Sequence, residues 1–328
     1  MACIRALLRV ALGAALAGVA VAAAAFDLQG HRGARGLAPE NTLAGFEAAL
    51  AVGIHTLELD VGLTRDDVLV VAHDRTLNPD IVRGPDGRWL DAPGPALRTL
   101  DFAALQAFDV GRLRPGSRYA GLYPEQRPVD GARMPSLDAV FERVAALGGT
   151  RVRFNVETKL SPLAPEQAAD PQTFATRLVE ALRRHRVTDR VTVQSFDWRT
   201  LREVQRIAPD VATVYLSIQQ SGFDTIRADD PNGSPWTAGL THAAHGSVYR
   251  MVKAAGGSTW SPNAADLDAG RVERARALGL KVVPWTVNDP EVMRRLIGWG
   301  VDGIITDRPD LLRAVMRERG MVLPPPIP

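Results

Sequence analysis

Two short runs place carboxylates where they could act together. In Glu58-Leu59-Asp60 the acids lie two residues apart. In Asn155-Val156-Glu157-Thr158-Lys159 an amide, an acid and an amine share that spacing. Alternate residues of a β-strand point to one side. If both runs are strands, Glu58 and Asp60 project together, as do Asn155, Glu157 and Lys159, while Phe154 and Val156 face a packing layer. Three ionised carboxylates brought to one place repel, at about 4 kcal/mol per pair for charges about 4 Å apart and an effective dielectric of about 20. The cluster must therefore hold protons or a cation, and an all-oxygen set suits one divalent ion, Ca²⁺ or Mg²⁺. Any one of these acids could instead be a strand-end partner for Lys or Arg. The set of three, taken with the histidines below, points to chemistry.

Of six histidines, two end apolar approaches in the order a barrel mouth requires: His31 in Gly30-His31-Arg32-Gly33, and His73 in Val70-Val71-Ala72-His73-Asp74. An imidazole, with an ordinary pKa of about 6.5, can give or take a proton near neutral pH. Two of them flanking a phosphodiester could activate a nucleophile and protonate a leaving alkoxide. His55, His185, His242 and His245 read as structural. Arg32 and Lys159 bring positive charge for a phosphate, Arg as a two-pronged donor and Lys as a point charge. Gln194 and Phe196 close a fourth strand, and Trp285 closes a seventh, where its ring could wall a substrate pocket or simply pack.

Such side chains converge only if several strands end at one rim. Candidate strands lie at Phe26–Gly30, Thr56–Val61, Val152–Thr158, Val191–Ser195, Ala212–Leu216, Ser258–Ser261, Lys281–Thr286 and Gly303–Thr306, with helical patterns after most of them. The helical stretches are Asn41–Val52, Leu137–Leu147, Phe174–Arg184, Arg199–Ile207, Gly270–Leu278, Pro290–Trp299 and Asp310–Arg319. Eight alternating units favour an α/β fold of the closed (β/α)8 or TIM-barrel type over an open doubly wound sheet, and Gly30-His31-Arg32-Gly33 lacks the spacing of a dinucleotide-binding turn. Arg75–Pro135, rich in Pro, Gly and Arg, reads as an insertion after strand two. Ser217–Ser247 reads as a second long loop. The barrel is expected over residues 26–320, with a disordered tail over 321–328.

The motifs occur in the order found in a known family. His31-Arg32-Gly33, Pro39-Glu40-Asn41-Thr42, Glu58-Leu59-Asp60-Val61, Leu63-Thr64 and His73-Asp74 resemble the opening of glycerophosphodiester phosphodiesterases of the periplasmic or secreted type. Asn155-Val156-Glu157-Thr158-Lys159, Gln194-Ser195-Phe196, Trp285-Thr286-Val287-Asn288 and Asp302-Gly303-Ile304-Ile305-Thr306-Asp307 continue the resemblance to about Pro309. It implies a TIM barrel that cleaves glycerophosphodiesters, such as glycerophosphocholine or glycerophosphoethanolamine, to sn-glycerol 3-phosphate and an alcohol. It further implies His31 and His73 as the acid–base pair, and Glu58, Asp60 and Glu157 as ligands of Ca²⁺ or Mg²⁺. Arg32 and Lys159 would sit on the phosphate, and Trp285, Gln194 and Phe196 at the substrate. The sequence departs from the family at Ile54-His55, often Ala-Asp, and at Asp66-Asp67, often Asp-Gly. Other activities open to the same barrel are a lysophospholipase D, a phosphatidylinositol phospholipase C-like enzyme, or an inactive phosphate-ester binding protein.

The N-terminus suggests export. Arg5 and Arg9 precede an uncharged stretch from Val10 to Ala25 that ends in small residues, the pattern of a signal peptide over residues 1–25. Cleavage near Ala24 or Ala25 would leave no stable membrane anchor and would remove Cys3, the only cysteine, placing the mature chain in the periplasm or outside the cell. A formal net charge of +2 gives no reason to expect nucleic acid as a partner, so the expected partner is a small-molecule diester.

Overall fold

A computed structural model describes residues 26–328; the expected signal peptide, with Cys3, lies outside the described residues. Strands and helices alternate as β1 (Asp27–Gly30), α1 (Leu43–Val52), β2 (Thr56–Leu63), α2 (Leu137–Ala146), β3 (Arg153–Thr158), α3 (Pro171–His185), β4 (Val191–Ser195) and α4 (Trp198–Ile207). They continue as β5 (Ala212–Ser217), α5 (Val248–Ala254), β6 (Thr259–Pro262), α6 (Ala269–Ala277), β7 (Lys281–Val282), α7 (Pro290–Gly298), β8 (Gly303–Thr306) and α8 (Pro309–Glu318). The strands neighbour one another in the order β7-β6-β5-β4-β3-β2-β1-β8, all parallel. Between β7 and β8 the ladder gives way to single bonds: Asp302 N donates to Val282 O at 2.8 Å and Ile305 N to Pro284 O at 3.0 Å. The expected TIM barrel is therefore present. β7 is shorter than the Lys281–Thr286 run suggested, because Pro284 has no N–H to give to a ladder.

Strand parity sorts the side chains. Leu57, Leu59 and Val61 of β2 and Phe154 and Val156 of β3 point outward and are fully buried beneath the helices. Phe154 meets Phe141 of α2 edge-on, with centroids 4.8 Å apart. Each such burial contributes about 1.5–3 kcal/mol. The helices supply the matching stripe. α3 starts at the Asp170 cap with Pro171 in its first turn, buries Phe174, Leu178, Val179 and Leu182, and carries Arg183 and Arg184 in its last turn.

The departures from the expected organisation lie in the loops. After β2 the chain first turns back as a short antiparallel strand, Leu69–Val71, before the insertion begins. Asp67 in that turn holds φ 58, a left-handed backbone that explains a glycine preference at this position. The insertion has a small core of its own, including Leu77, Val82, Leu97, Leu105 and Met134. Between β5 and β6 the sequence pointed to a long loop over Ser217–Ser247 and to no helix after it. α5 forms there on a single apolar turn, Val248, Met251 and Val252. The tail expected to be disordered instead lies on the barrel. Ile327 N donates to Leu50 O at 2.9 Å, Arg313 Nη1 donates to Pro324 O at 2.6 Å, and Leu323 and Ile327 pack on the core. Its prolines leave few donors to satisfy, and its apolar side chains find a surface.

Candidate active site

The site begins in the turn after β1. A Cβ at Gly30 would stand 2.2 Å from Gly33 O, and one at Gly33, where φ is 88, would stand 2.6 Å from the Gly45 backbone, so the turn closes only with glycine at both positions. Between them Arg32 takes φ 50, costly outside glycine. That geometry aims the Arg32 N–H at Glu58 Oε2, 2.8 Å away.

The three carboxylates converge as strand parity requires. In the β2–β3 register Asp60 lies beside Glu157 and Glu58 beside Asn155. All three acids are buried, and one oxygen from each falls within 4.8 Å of the others. Burial, then Asp60 and Glu157, push the Glu58 carboxyl well above its usual range. Burial also raises Glu157, to about 7, against the pull of Lys159. Burial would raise Asp60 as well, but Lys159 and Arg32 outweigh it and hold that carboxyl well below the usual range. Lys159 Nζ is 2.6 Å from Glu157 Oε1 and 3.6 Å from Asp60 Oδ1. Arg32 Nε also stands 3.3 Å from Asp60 Oδ2, but Arg32 is shared with Glu40, so these two cations cannot balance the three acids and Glu40, and Asp60 Oδ1 is buried without a hydrogen bond. An orphaned carboxylate oxygen within a hard-oxygen cluster fits a divalent cation.

His31 Nδ1 is 2.6 Å from Asp307 Oδ1, which fixes the ring as an Nδ1–H donor. Arg35 Nη2, at 3.1 Å from the same nitrogen, therefore makes no hydrogen bond to it. Arg35 binds Asp307 instead, through Nε at 2.8 Å and Nη2 at 3.1 Å. Asn288 Nδ2 donates to the other Asp307 oxygen at 2.7 Å. His31 Nε2 is left facing Glu58 at 3.9 Å. Burial, then Arg35, bring the His31 pKa down to about 4 despite Asp307. His73 is oriented in the same way by Asp74, at 2.9 Å from its Nδ1, and Asn78 holds Asp74 in turn at 2.7 Å. Burial, then Arg32 and Lys159, lower the His73 pKa.

His31, Arg32, Glu58, Asp60, Glu157 and Lys159 thus meet at one rim. His73, Glu157, Lys159, Phe196 and Trp285 line a cleft of about 530 Å³. Gln194 was expected at the substrate, but it is buried beside Glu157 in the β3–β4 register and turned toward Glu58. Its Nε2 donates to Glu58 Oε1 at 2.6 Å, and its Oε1 accepts from Asn155 Nδ2 at 2.9 Å, so it positions Glu58. Several residues without an expected role complete the site. Asn41 Nδ2 donates to Asp60 Oδ2 at 2.9 Å. Arg32 Nη1 donates to Glu40 Oε1 at 2.7 Å, and Tyr119 from the insertion donates to Glu40 Oε2 while accepting from Arg35 Nη1 at 3.0 Å. Glu40, Asn41, Asp74 and Asp307 all stand in the ordered motifs, which was the available signal; Tyr119 had none.

Fold and site define a class: barrel enzymes that work on a phosphate ester beside a carboxylate cluster. A family model, the glycerophosphoryl diester phosphodiesterase family, matches residues 31–311. The chain is 29% identical to a glycerophosphodiester phosphodiesterase of Caldanaerobacter subterraneus subsp. tengcongensis, over 88% of this chain and 97% of that one. It is 28% identical to a glycerophosphodiester phosphodiesterase of Bacillus subtilis, over 88% and 85%. Among solved structures it is similar to a Silicibacter pomeroyi protein classed with the glycerophosphoryl diester phosphodiesterases, at 34% identity and a TM-score of 0.81, covering 91% and 95% of the two chains. A phosphodiesterase of Oleispira antarctica, solved with its product sn-glycerol-3-phosphate, shares the fold at 23% identity and a TM-score of 0.63, over 88% and 96%. The chain belongs to the glycerophosphoryl diester phosphodiesterase family and is a phosphoric diester hydrolase.

Proposed function

We propose that this chain hydrolyses glycerophosphodiesters, such as glycerophosphocholine or glycerophosphoethanolamine, to sn-glycerol 3-phosphate and the free alcohol. His31 and His73 form the acid–base pair, and Glu58, Asp60 and Glu157 hold one Ca²⁺ or Mg²⁺ ion. The observation that carries this reading is the His31–Asp307 contact of 2.6 Å beside the carboxylate cluster. With Nδ1–H committed to Asp307, neutral His31 keeps an Nε2 lone pair that can take a proton from the nucleophile. His73, with its Nδ1–H turned to Asp74, acts as the imidazolium: its Nε2–H protonates the departing alkoxide and leaves the ring neutral, and the carboxylates of Asp60 and Asp74 favour that charged form. Arg32 and Lys159 orient the phosphate oxygens. When bound, the ion supplies Lewis acidity and a template for the phosphoryl group. The product carried by the Oleispira antarctica phosphodiesterase supports the same reaction here.

H31A and H73A test the pairing. Each is expected to lower kcat on glycerophosphoethanolamine by about 10²–10⁴-fold, the usual contribution of an acid–base group. Near-native turnover in both variants would contradict it. We further propose that residues 1–25 direct export to the periplasm or the medium and are then removed. The basic start and the uncharged stretch from Val10 to Ala25 support this. Among the described residues no helix is long and apolar enough to cross a membrane. N-terminal sequencing of protein recovered outside the cytoplasm is expected to begin near Phe26; an intact Met1 would refute it.

A further inference from the structure

The cleft beside the carboxylates has two kinds of wall. One is aromatic. Trp285 meets Phe196 with centroids 5.3 Å apart, Phe196 meets Phe223 at 5.6 Å, and Phe223 meets Trp236 at 5.8 Å, each edge to face. That wall suits the carbon skeleton of a small polyol arm. The other wall is polar and comes from the start of the insertion and the loop after β3: Arg75, Thr76, Asn78 and Gln167. A diester has two arms, and the second must find its partners there.

Arg75 differs from the other cations at the site. Lys159 is neutralised by Glu157 at 2.6 Å, Arg32 by Glu40 at 2.7 Å, and Arg35 by Asp307 at 2.8 Å. Among the described residues no carboxylate lies within salt-bridge distance of Arg75, and its one side-chain hydrogen bond runs from Nε to Gln167 Oε1 at 3.1 Å. The adjacent Asp74 is already committed, through Oδ1 to His73 at 2.9 Å and through Oδ2 to Asn78 at 2.7 Å. Gln167 thus fixes the plane of the guanidinium while both terminal nitrogens remain available, and a planar pair of donors matches a carboxylate or phosphate in two-pronged geometry. A half-buried guanidinium aimed into a substrate cleft with its charge uncompensated favours an anionic ligand and disfavours a cationic one.

We propose that Arg75 is a specificity-determining residue that selects diesters whose leaving alcohol carries an anionic group, a carboxylate or a second phosphate. The proposal rests on the hydrolase reading above and deepens it by naming the head-group class.

Glycerophosphoserine and glycerophosphoethanolamine make a matched pair, since they differ by one carboxylate. Steady-state kcat/KM is expected to favour the serine ester by about tenfold, what one charge-assisted hydrogen bond supplies. The preference should shrink as ionic strength rises. R75Q is expected to bring the ratio close to one, and R75K, which keeps the charge without the fork, to leave part of it. Melting temperatures of both variants would show whether the Gln167 contact had also been needed for folding. A glycerophosphodiester whose alcohol bears a second phosphate serves as the other arm: preference there without preference for serine assigns Arg75 to phosphate, and the converse assigns it to carboxylate. A ratio near one in the native protein for both anionic esters, or an unchanged ratio in R75Q, would overturn the proposal. Should no diester be turned over, the hydrolase reading is what fails. Calorimetric binding of the two matched esters to H31A still decides for Arg75, equal affinities overturning it.

Discussion

At the scale of single residues, the acids and bases of this site depend on partners that neighbouring sequence could not name. Strand parity made the convergence of Glu58, Asp60 and Glu157 legible, because a period of two dictates which side chains share a face. It could not say which neighbour each inward side chain would bond, which is why Gln194, read as a substrate contact, turns out to be the buried donor to Glu58 Oε1. Nor could it pair His31 with Asp307, which lies 276 residues on in the chain. That pairing makes a clear expectation. D307N replaces an acceptor that fixes the tautomer with an amide able to turn either face to the ring. It should lower kcat by about 10²-fold or more, in the range of lost acid–base catalysis, with a smaller change in KM. Turnover kinetics check it, and an unchanged kcat would remove Asp307 from the mechanism.

The pH dependence follows from the same residue. Burial, then Arg35, disfavour the His31 imidazolium and bring its pKa to about 4, below the unfolded value of 6.5. The neutral base therefore persists as pH falls below the ordinary histidine range, and the acid limb of kcat/KM should lie below pH 6.5. The sign for stability is fixed as well. Between pH 6.5 and about 4 the unfolded chain takes a proton at His31 that the folded one refuses, so this residue's contribution favours unfolding increasingly as pH falls through that window. Because Glu157 rises to about 7 when no ion is bound, the profile is measured with the ion saturating, and an acid limb that still sits above 6.5 would contradict the assignment of His31 as the base.

At the scale of elements, the eight strands and most of the helices could be read from periodicity because nearly all present an uninterrupted face to the core, the two-residue β7 being the exception. The failures came where that face is short. α5 rests on Val248, Met251 and Val252 alone, and the tail rests on Leu323 and Ile327. The insertion was legible as irregular chain, but its work was not, since Tyr119 reaches Glu40 across 79 positions. It holds the turn that carries His31 and Arg32. Tyr119 bonds Glu40 and Arg35, Tyr123 stacks on Arg35 with its centroid 4.7 Å away, and Arg127 N donates to Leu37 O at 2.9 Å. Y119F leaves the ring in place and removes the hydroxyl, so buried Glu40 loses a donor at a cost of about 1–3 kcal/mol. The expected result is a lower denaturation midpoint together with a several-fold fall in kcat/KM, because the Arg32 guanidinium loses its brace. A variant destabilised to that extent but fully active would show that the insertion supports folding alone.

At the scale of the whole molecule, the barrel gathers side chains from β1, β2, β3, β4 and β8 at one rim, and a cation bound there ties several of those strands together. Folding and ion binding should therefore be linked. An ion present at about a hundred times its dissociation constant adds about 2.7 kcal/mol to stability, and a shift of several degrees in the melting temperature is expected between the ion-loaded and chelated protein. Scanning calorimetry with Ca²⁺, with Mg²⁺ and with chelator would measure the shift and rank the ions. Melting indifferent to all three would speak against a bound ion at Glu58, Asp60 and Glu157.

The central claim is metal-dependent hydrolysis of a glycerophosphodiester, and the most direct measurement is release of sn-glycerol 3-phosphate from glycerophosphoethanolamine and glycerophosphoserine by the mature protein. It would be run with Ca²⁺, with Mg²⁺ and with a chelator. Release with at least one ion, abolished by chelation and restored when the ion is returned, is the expected result. Absence of release under every condition, or release that chelator leaves untouched, would contradict it.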